Sequence, residues 1–214
     1  MKKIIGFVLA LGFVVQLSAQ AVKVMPVFSM SGYEKYHTNF GYGIGYDLLL
    51  KSQDKLSFTF THSFNMGDYS TLFLSDADGR AYHRDIKPKN QRISIAAIYS
   101  FKLLNRSRYA LFIGPKLGVN YFGINESIVE RRLDENEPYA YRLEYWEFNK
   151  IGLGFSLAYE RKLIADKLSL TLSTEPDMIF FSKFGLMGSG VPPLIGFLSF
   201  QLKLVLYFGS KPPS

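Results

Sequence analysis

Leu198-Ser199-Phe200-Gln201-Leu202-Lys203-Leu204-Val205-Leu206-Tyr207-Phe208 sets an aliphatic or aromatic residue at every even position, and Ser, Gln, Lys, Val and Tyr between them. A period of two puts successive side chains on opposite faces of a strand. The same pattern extends back along the chain. Leu168, Leu170 and Leu172 alternate with Ser169, Thr171 and Ser173, and Ile151, Leu153, Phe155, Leu157 and Tyr159 alternate with Gly152, Gly154, Ser156, Ala158 and Glu160. It recurs over Tyr109 to Tyr121, Arg92 to Lys102, Leu56 to Thr61 and Asn39 to Leu48, and more weakly over Val22 to Met30, which predicts eight strands.

The connections between these strands alternate in length. Short turns fall at Ser52-Gln53-Asp54, Asn105 to Arg108 and Ala165-Asp166, whereas Ser31 to Thr38, Gly67 to Asn90, Asn125 to Tyr145 and Ser182 to Pro192 are longer. Strict alternation is the layout of a barrel with both termini and all tight turns on one side of a membrane. A soluble sandwich has no reason to alternate this way.

The faces decide between a soluble and a membrane barrel. One face is almost purely aliphatic and aromatic. The other is small or ionisable, with Gly41, Gly43, Gly45, Gly114, Gly118, Gly152 and Gly154 beside Asp47, Arg92, Lys102, Lys116, Glu160, Glu175 and Lys203. A narrow lumen is filled by alternating small and large polar side chains, while lipid takes the apolar face. The seven charged residues are expected to pair across the lumen, because an unpaired buried charge is costly. Aromatic residues collect near both strand ends: Phe40, Tyr42, Phe64, Tyr121, Trp146, Phe148, Phe180 and Phe181 at one, Tyr99, Phe101, Tyr109, Tyr159 and Phe208 at the other. Two such girdles mark the two membrane interfaces.

Composition agrees. The chain is 48% hydrophobic, with 14 Tyr and 19 Phe, yet beyond its first residues it contains no apolar run long enough for a spanning helix. Only helices and closed barrels satisfy the backbone inside lipid. Lys2 and Lys3, the apolar stretch Ile4 to Val15 and the small-residue sequence Ala19-Gln20-Ala21 read as a signal peptide over 1–21, cleaved after Ala21 or Gln20. The absence of cysteine excludes a lipoprotein, disulfides and thiolate chemistry. The net charge of +7 is spread along the chain and carries no nucleic-acid signature.

The signal peptide, the eight alternating strands and the amphipathic final strand resemble the small outer-membrane barrel families, the OmpX-like and OmpA-transmembrane-like proteins. The resemblance is one of architecture over the whole mature chain. It implies an all-β, eight-stranded antiparallel up-and-down transmembrane barrel over 22–209, with both termini periplasmic and a short tail over 210–214. It also implies export to the outer membrane, contact with outer-membrane lipid and insertion by the barrel-assembly machinery. Such chains commonly end on phenylalanine, whereas Phe208 here is followed by Gly209-Ser210-Lys211-Pro212-Pro213-Ser214.

Chemistry is sparse. His37, His62 and His83 are the only candidate imidazole bases. His62 and Ser63 are strand neighbours and point apart, with His62 on the lipid face. The resemblance to lipid A deacylase barrels would require His and Ser two apart, but residues 60 and 64 are both phenylalanine. His83 and Asp85 share a face, with Ser75 across a hairpin whose turn is Asp78-Gly79, between Thr71–Ser75 and Arg80–Arg84. Asp76-Ala77-Asp78-Gly79 lacks the remaining ligands of a calcium loop, and no cofactor or metal site is expected. The third long connection keeps its period of two through Tyr139, Tyr141, Leu143 and Tyr145, so a hairpin is expected to protrude, with Pro138 at its tip. Arg131, Arg132, Tyr139, Tyr141, Tyr145 and Trp146 are its candidate contacts for a protein or glycan partner. The leading expectation is a non-catalytic barrel that presents outer hairpins. A conduit for a small or apolar solute and a lipid A-modifying enzyme are the alternatives.

Overall fold

A computed structural model describes residues 19–31, 38–50, 54–65, 70–75, 79–132, 138–164, 167–180 and 194–208. The strands are β1 (Ala19–Ser31), β2 (Thr38–Leu49), β3 (Lys55–Asn65), β4 (Ser70–Ser75), β5 (Ala81–Pro88), β6 (Gln91–Asn105), β7 (Tyr109–Arg132), β8 (Pro138–Ile164), β9 (Leu168–Phe180) and β10 (Leu194–Phe208). Each of the eight strands read from the alternation is present. Together β1, β2, β3, β6, β7, β8, β9 and β10 close into an antiparallel barrel, in which β10 pairs back on β1 and β7 on β8. Closure leaves no sheet edge within the wall.

The alternation falls on the two faces in the inverted sense. In β1 the side chains of Ala21, Lys23, Met25, Val27 and Ser29 are buried, whereas Val22, Val24, Phe28 and Met30 are exposed. In β7 Lys116 and Asn120 point in, and Ile113, Leu117 and Val119 point out. Each of these partly exposed aliphatic or aromatic side chains would forgo in water part of the roughly 1.5–3 kcal/mol that full burial provides. In hydrocarbon that deficit disappears, which is the physical reason for a wall with charges inside and leucines outside.

Both described ends of the chain lie at one end of the barrel: Gln20 pairs with Leu48 on one side and Phe208 on the other. The short connections are at this same end. Leu50 N–H donates to the Asp54 carbonyl at 2.9 Å, Arg106 N–H to Tyr109 at 2.8 Å and Lys167 N–H to Ile164 at 3.2 Å. Exposed Phe101, Tyr109, Tyr159 and Phe208 ring this end, and exposed Phe40, Tyr42, Phe64 and Phe180 ring the other. Phe181 and the fourth long connection lie outside the described residues.

Three outward prolines, Pro26, Pro115 and Pro176, interrupt one ladder each. The β1–β10 pairing steps from Val24↔Leu204 to Val27↔Gln201, the β6–β7 pairing from Ile98↔Lys116 to Phe101↔Ile113, and the β8–β9 pairing from Gly154↔Asp177 to Leu157↔Thr174. Proline has no N–H to donate, so the ladder lapses on the side where that donor is missing while the other side stays paired. Next to one of these steps, Gly114 must be glycine, since a β-carbon there would overlap the Tyr99 carbonyl oxygen.

The second long connection holds the predicted hairpin. β4 pairs with β5, and Gly79 between them has a φ of 77°, a left-handed conformation that favours glycine. β5 then pairs with the far half of β7, from Pro88↔Glu126 to Tyr82↔Arg132, beyond the last β6–β7 pair at Gln91↔Gly123. A four-stranded sheet of order β4-β5-β7-β8 therefore stands past the barrel rim.

Candidate functional site

Two regions concentrate polar chemistry, the lumen and the sheet beyond the rim. Inward positions on the barrel strands bring Lys23, Asp47, Lys55, Arg92, Lys116, Glu160, Glu175, Asp177 and Lys203 together as two clusters. Near the short-turn end, Lys23 Nζ donates to Asp47 Oδ1 at 2.5 Å, and Ser57 Oγ donates to the same oxygen at 2.6 Å. Beside them Lys55 Nζ donates to Glu160 and, at 3.0 Å, to the Tyr207 hydroxyl, while that hydroxyl donates to Glu160 Oε1 at 2.8 Å.

Toward the other end Glu175, with no exposed surface, accepts from Lys203 Nζ at 2.7 Å and Lys116 Nζ at 2.9 Å. Lys116 also donates to Asp177 Oδ2 at 2.9 Å, and Arg92 Nη2 reaches the same oxygen at 3.1 Å. Arg92 Nε donates to Asn120 Oδ1 at 2.9 Å, and the guanidinium stands 4.3 Å from the Phe197 ring centroid. Every carboxylate in these clusters accepts charge-assisted bonds, which is the condition for tolerating buried charge.

Of the charged residues expected to pair, all but Lys102 lie in these clusters. Asp47 and Glu160, however, take Lys23 and Lys55 as partners, and Asp177 joins Glu175. Lys23, Lys55 and Asp177 are the members that sequence reasoning missed. Lys23 sits in the weakly patterned first strand, Lys55 at the first residue of its strand, and Asp177 directly after a proline that argues against a continuing strand. Parity is the available signal: Lys23 alternates with Val22 and Val24, and Asp177 is two residues from Glu175. Lys102 lies apart, half-buried near the end of β6, where its backbone N–H donates to Asp54 Oδ1 at 3.1 Å.

The lumen between the clusters holds a void of about 30 Å³ bordered by Lys23, Asp47, Lys55, Ser57 and Lys203. That is room for about one water molecule. Among the described residues, polar side chains pack the lumen at this level.

Beyond the rim, Arg84 pairs with Glu130 across β5 and β7 at 2.5 Å, and Thr71 Oγ1 donates to Asp85 Oδ1 at 2.8 Å across the hairpin. His83 Nε2 is 3.9 Å from Asp85 Oδ2, but Phe73 is the residue directly opposite His83, and Ser75 is opposite Ala81. The geometry therefore gives His83 no hydroxyl nucleophile directly across the strand. His62 is on the outward face as its parity requires, its ring between the Tyr42 hydroxyl and Gln91 Oε1, each at 3.2 Å, while Ser63 is buried on the other face. His37 lies outside the described residues.

The protruding hairpin forms with the extended register expected, Val129↔Tyr141 and Asn125↔Tyr145, and Trp146 stands opposite Ile124. Tyr139 lies in the irregular step near Pro138, which begins β8 opposite Arg131. Arg131 is exposed and Arg132 half-buried. On the β7 side of this hairpin, β5 covers the edge from Glu126 to Arg132. The edges left open among the described residues are β4 and the part of β8 before its first β9 pair at Gly152. Phe73 on β4 is 75% exposed.

The attachment invasion locus protein Ail of Yersinia pestis superposes on this closed barrel with a TM-score of 0.54 at 11% identity, covering 90% of this chain and all of that one. The chain has the fold of the small eight-stranded outer-membrane barrels. Neisserial surface protein A also aligns, at 13% identity and a TM-score of 0.44 over 89% of this barrel and 96% of its own chain. So does the N-terminal barrel domain of Pseudomonas aeruginosa OprF, at 12% identity and 0.43 over 88% and 97%. No family model and no curated protein matches the sequence of this barrel.

Proposed function

We propose that this barrel is a non-catalytic anchor in the outer membrane whose rigid outer sheet binds a protein or a surface glycan. On this reading residues 1–21 direct export and are removed, the barrel-assembly machinery inserts the remainder, and both termini face the periplasm. The sheet then stands outside the cell.

One observation carries the reading: the β4-β5-β7-β8 sheet extends past the barrel rim and ends in the uncharged edge strand Ser70-Thr71-Leu72-Phe73-Leu74-Ser75, with Phe73 open to solvent. Natural edge strands are usually blunted by charge, proline or a bulge, and this one has none of these devices. The sheet is preorganised on two long barrel strands, so little ordering entropy is lost on binding. The packed lumen speaks against a solute path. The spacing around His83 speaks against acyl transfer.

The test is cross-linking on intact cells. Wild type is compared with a Leu72→Lys, Phe73→Lys double variant and with a deletion of residues 127–145. A surface partner captured by wild type and lost from both variants is the expected result. Equal capture by all three, or capture by none, removes the reading.

A further inference from the structure

We propose that the outer wall of the barrel carries a seat for one hydrocarbon chain of a membrane phospholipid, held across strands β8, β9 and β10. A groove of about 800 Å³ crosses this part of the wall. That volume lies in the roughly 300–1,000 Å³ range of small-molecule sites.

The groove follows from sequence and register. Met30 pairs with Leu198, Leu198 with Pro176, and Phe155 with Pro115, so these outward residues form one row across the strands. The next outward row contains Gly196, Met178 and Leu153, with Gly196 and Leu153 each opposite Met178. Pro115, Pro176 and Gly196 project little beyond the backbone and form the low points. Phe155, Met178, Phe180 and Leu198 stand exposed around them. The β8–β9 ladder lapses at the positions opposite Pro176, within this same trough.

The occupant is set by the surroundings. Every outward residue bordering the groove is apolar, or is glycine or proline, on a wall whose neighbouring outward positions are likewise aliphatic and aromatic. The charged residues beside it, Lys116 and Asp177, are buried and bonded to each other at 2.9 Å, so they are not available to a polar headgroup. A chain lying in a trough is contacted from several sides, whereas one lying on a smooth wall touches it from one. Dispersion contacts of about 0.1–0.2 kcal/mol per atom pair then accumulate. This prolongs the stay of one chain relative to the rest of the surrounding lipid.

The experiment uses the full barrel reconstituted in phosphatidylethanolamine–phosphatidylglycerol vesicles, extracted into mild detergent and weighed by native mass spectrometry. Gly196→Phe fills the groove, and a β-carbon at this position meets no atom within 4 Å, so the fold has room for it. Val119→Phe enlarges an outward side chain elsewhere on the wall and serves as the control. Wild type and Val119→Phe are expected to retain a single phospholipid, and Gly196→Phe to retain it about tenfold less. Equal retention by Gly196→Phe, or none by wild type, overturns the proposal. Should Gly196→Phe fail to show the heat-shifted mobility of a folded barrel, the wall-removing pair Met178→Ala, Phe180→Ala takes its place, with reduced retention expected and unchanged retention overturning the seat. The outcome is independent of whether the outer sheet binds a partner.

Discussion

The strands β7 and β8 run through two regions that solve the same problem in opposite ways. Inside the wall they are flanked by β6 and β9, with the ladders interrupted only at the prolines and at the bulges between Lys102 and Leu104 and between Lys162 and Ile164. Past the rim they are flanked by the β4–β5 hairpin on one side and by nothing described on the other. The wall hides its charges in the lumen and shows lipid its apolar residues. The sheet past the rim instead pairs Arg84 with Glu130 at its surface and leaves Phe73 exposed. A single pair of strands can therefore form both membrane wall and a sheet beyond it, because surroundings, not strand geometry, decide what each face must be.

The largest expected break in this comparison comes from the lumen. Glu175→Ala strips Lys116 and Lys203 of a shared carboxylate while leaving both ammonium groups buried. Destabilisation of about 3–5 kcal/mol is expected, read by urea unfolding in lipid vesicles. Gly114→Ala comes next, since its β-carbon collides with the Tyr99 carbonyl; a loss of about 1–3 kcal/mol is expected in the same assay. Arg84→Ala sharpens the contrast from the other side. Its partly exposed pair with Glu130 is expected to contribute about 0–1 kcal/mol, leaving barrel unfolding nearly unchanged while amide exchange in β4 and β5 speeds up. Phe73→Ser is expected to shift stability by less than about 0.5 kcal/mol, with its effect confined to partner capture. A large stability loss on Phe73→Ser would mean that the side chain is a packing residue rather than a contact.

Much of the wall is legible in the sequence alone. Period two, the loop alternation and the inverted chemistry of the faces each depend on residues close in sequence, and they agree. The lumen is legible in type but not in pairing. Parity places Glu160 and Glu175 inside, yet Lys55 meets Glu160 across 105 residues, and sequence spacing carries no information about such a partner. Pro176 conceals Asp177, because a proline ordinarily ends a central strand. In a closed barrel the strand continues past it at the cost of an interrupted ladder on one side.

What the sequence determined by itself is local and periodic. It set which residues face lipid and which face the lumen, how many strands close the wall, where the tight turns fall, and that Gly79 would turn the β4–β5 hairpin. The tertiary structure alone decided the salt-bridge partners, the docking of that hairpin onto β7 and the groove across β8 to β10. These depend on the register between strands far apart in the chain. Register is the quantity that alternation leaves free, because a strand slipped by two residues shows the same faces to different neighbours.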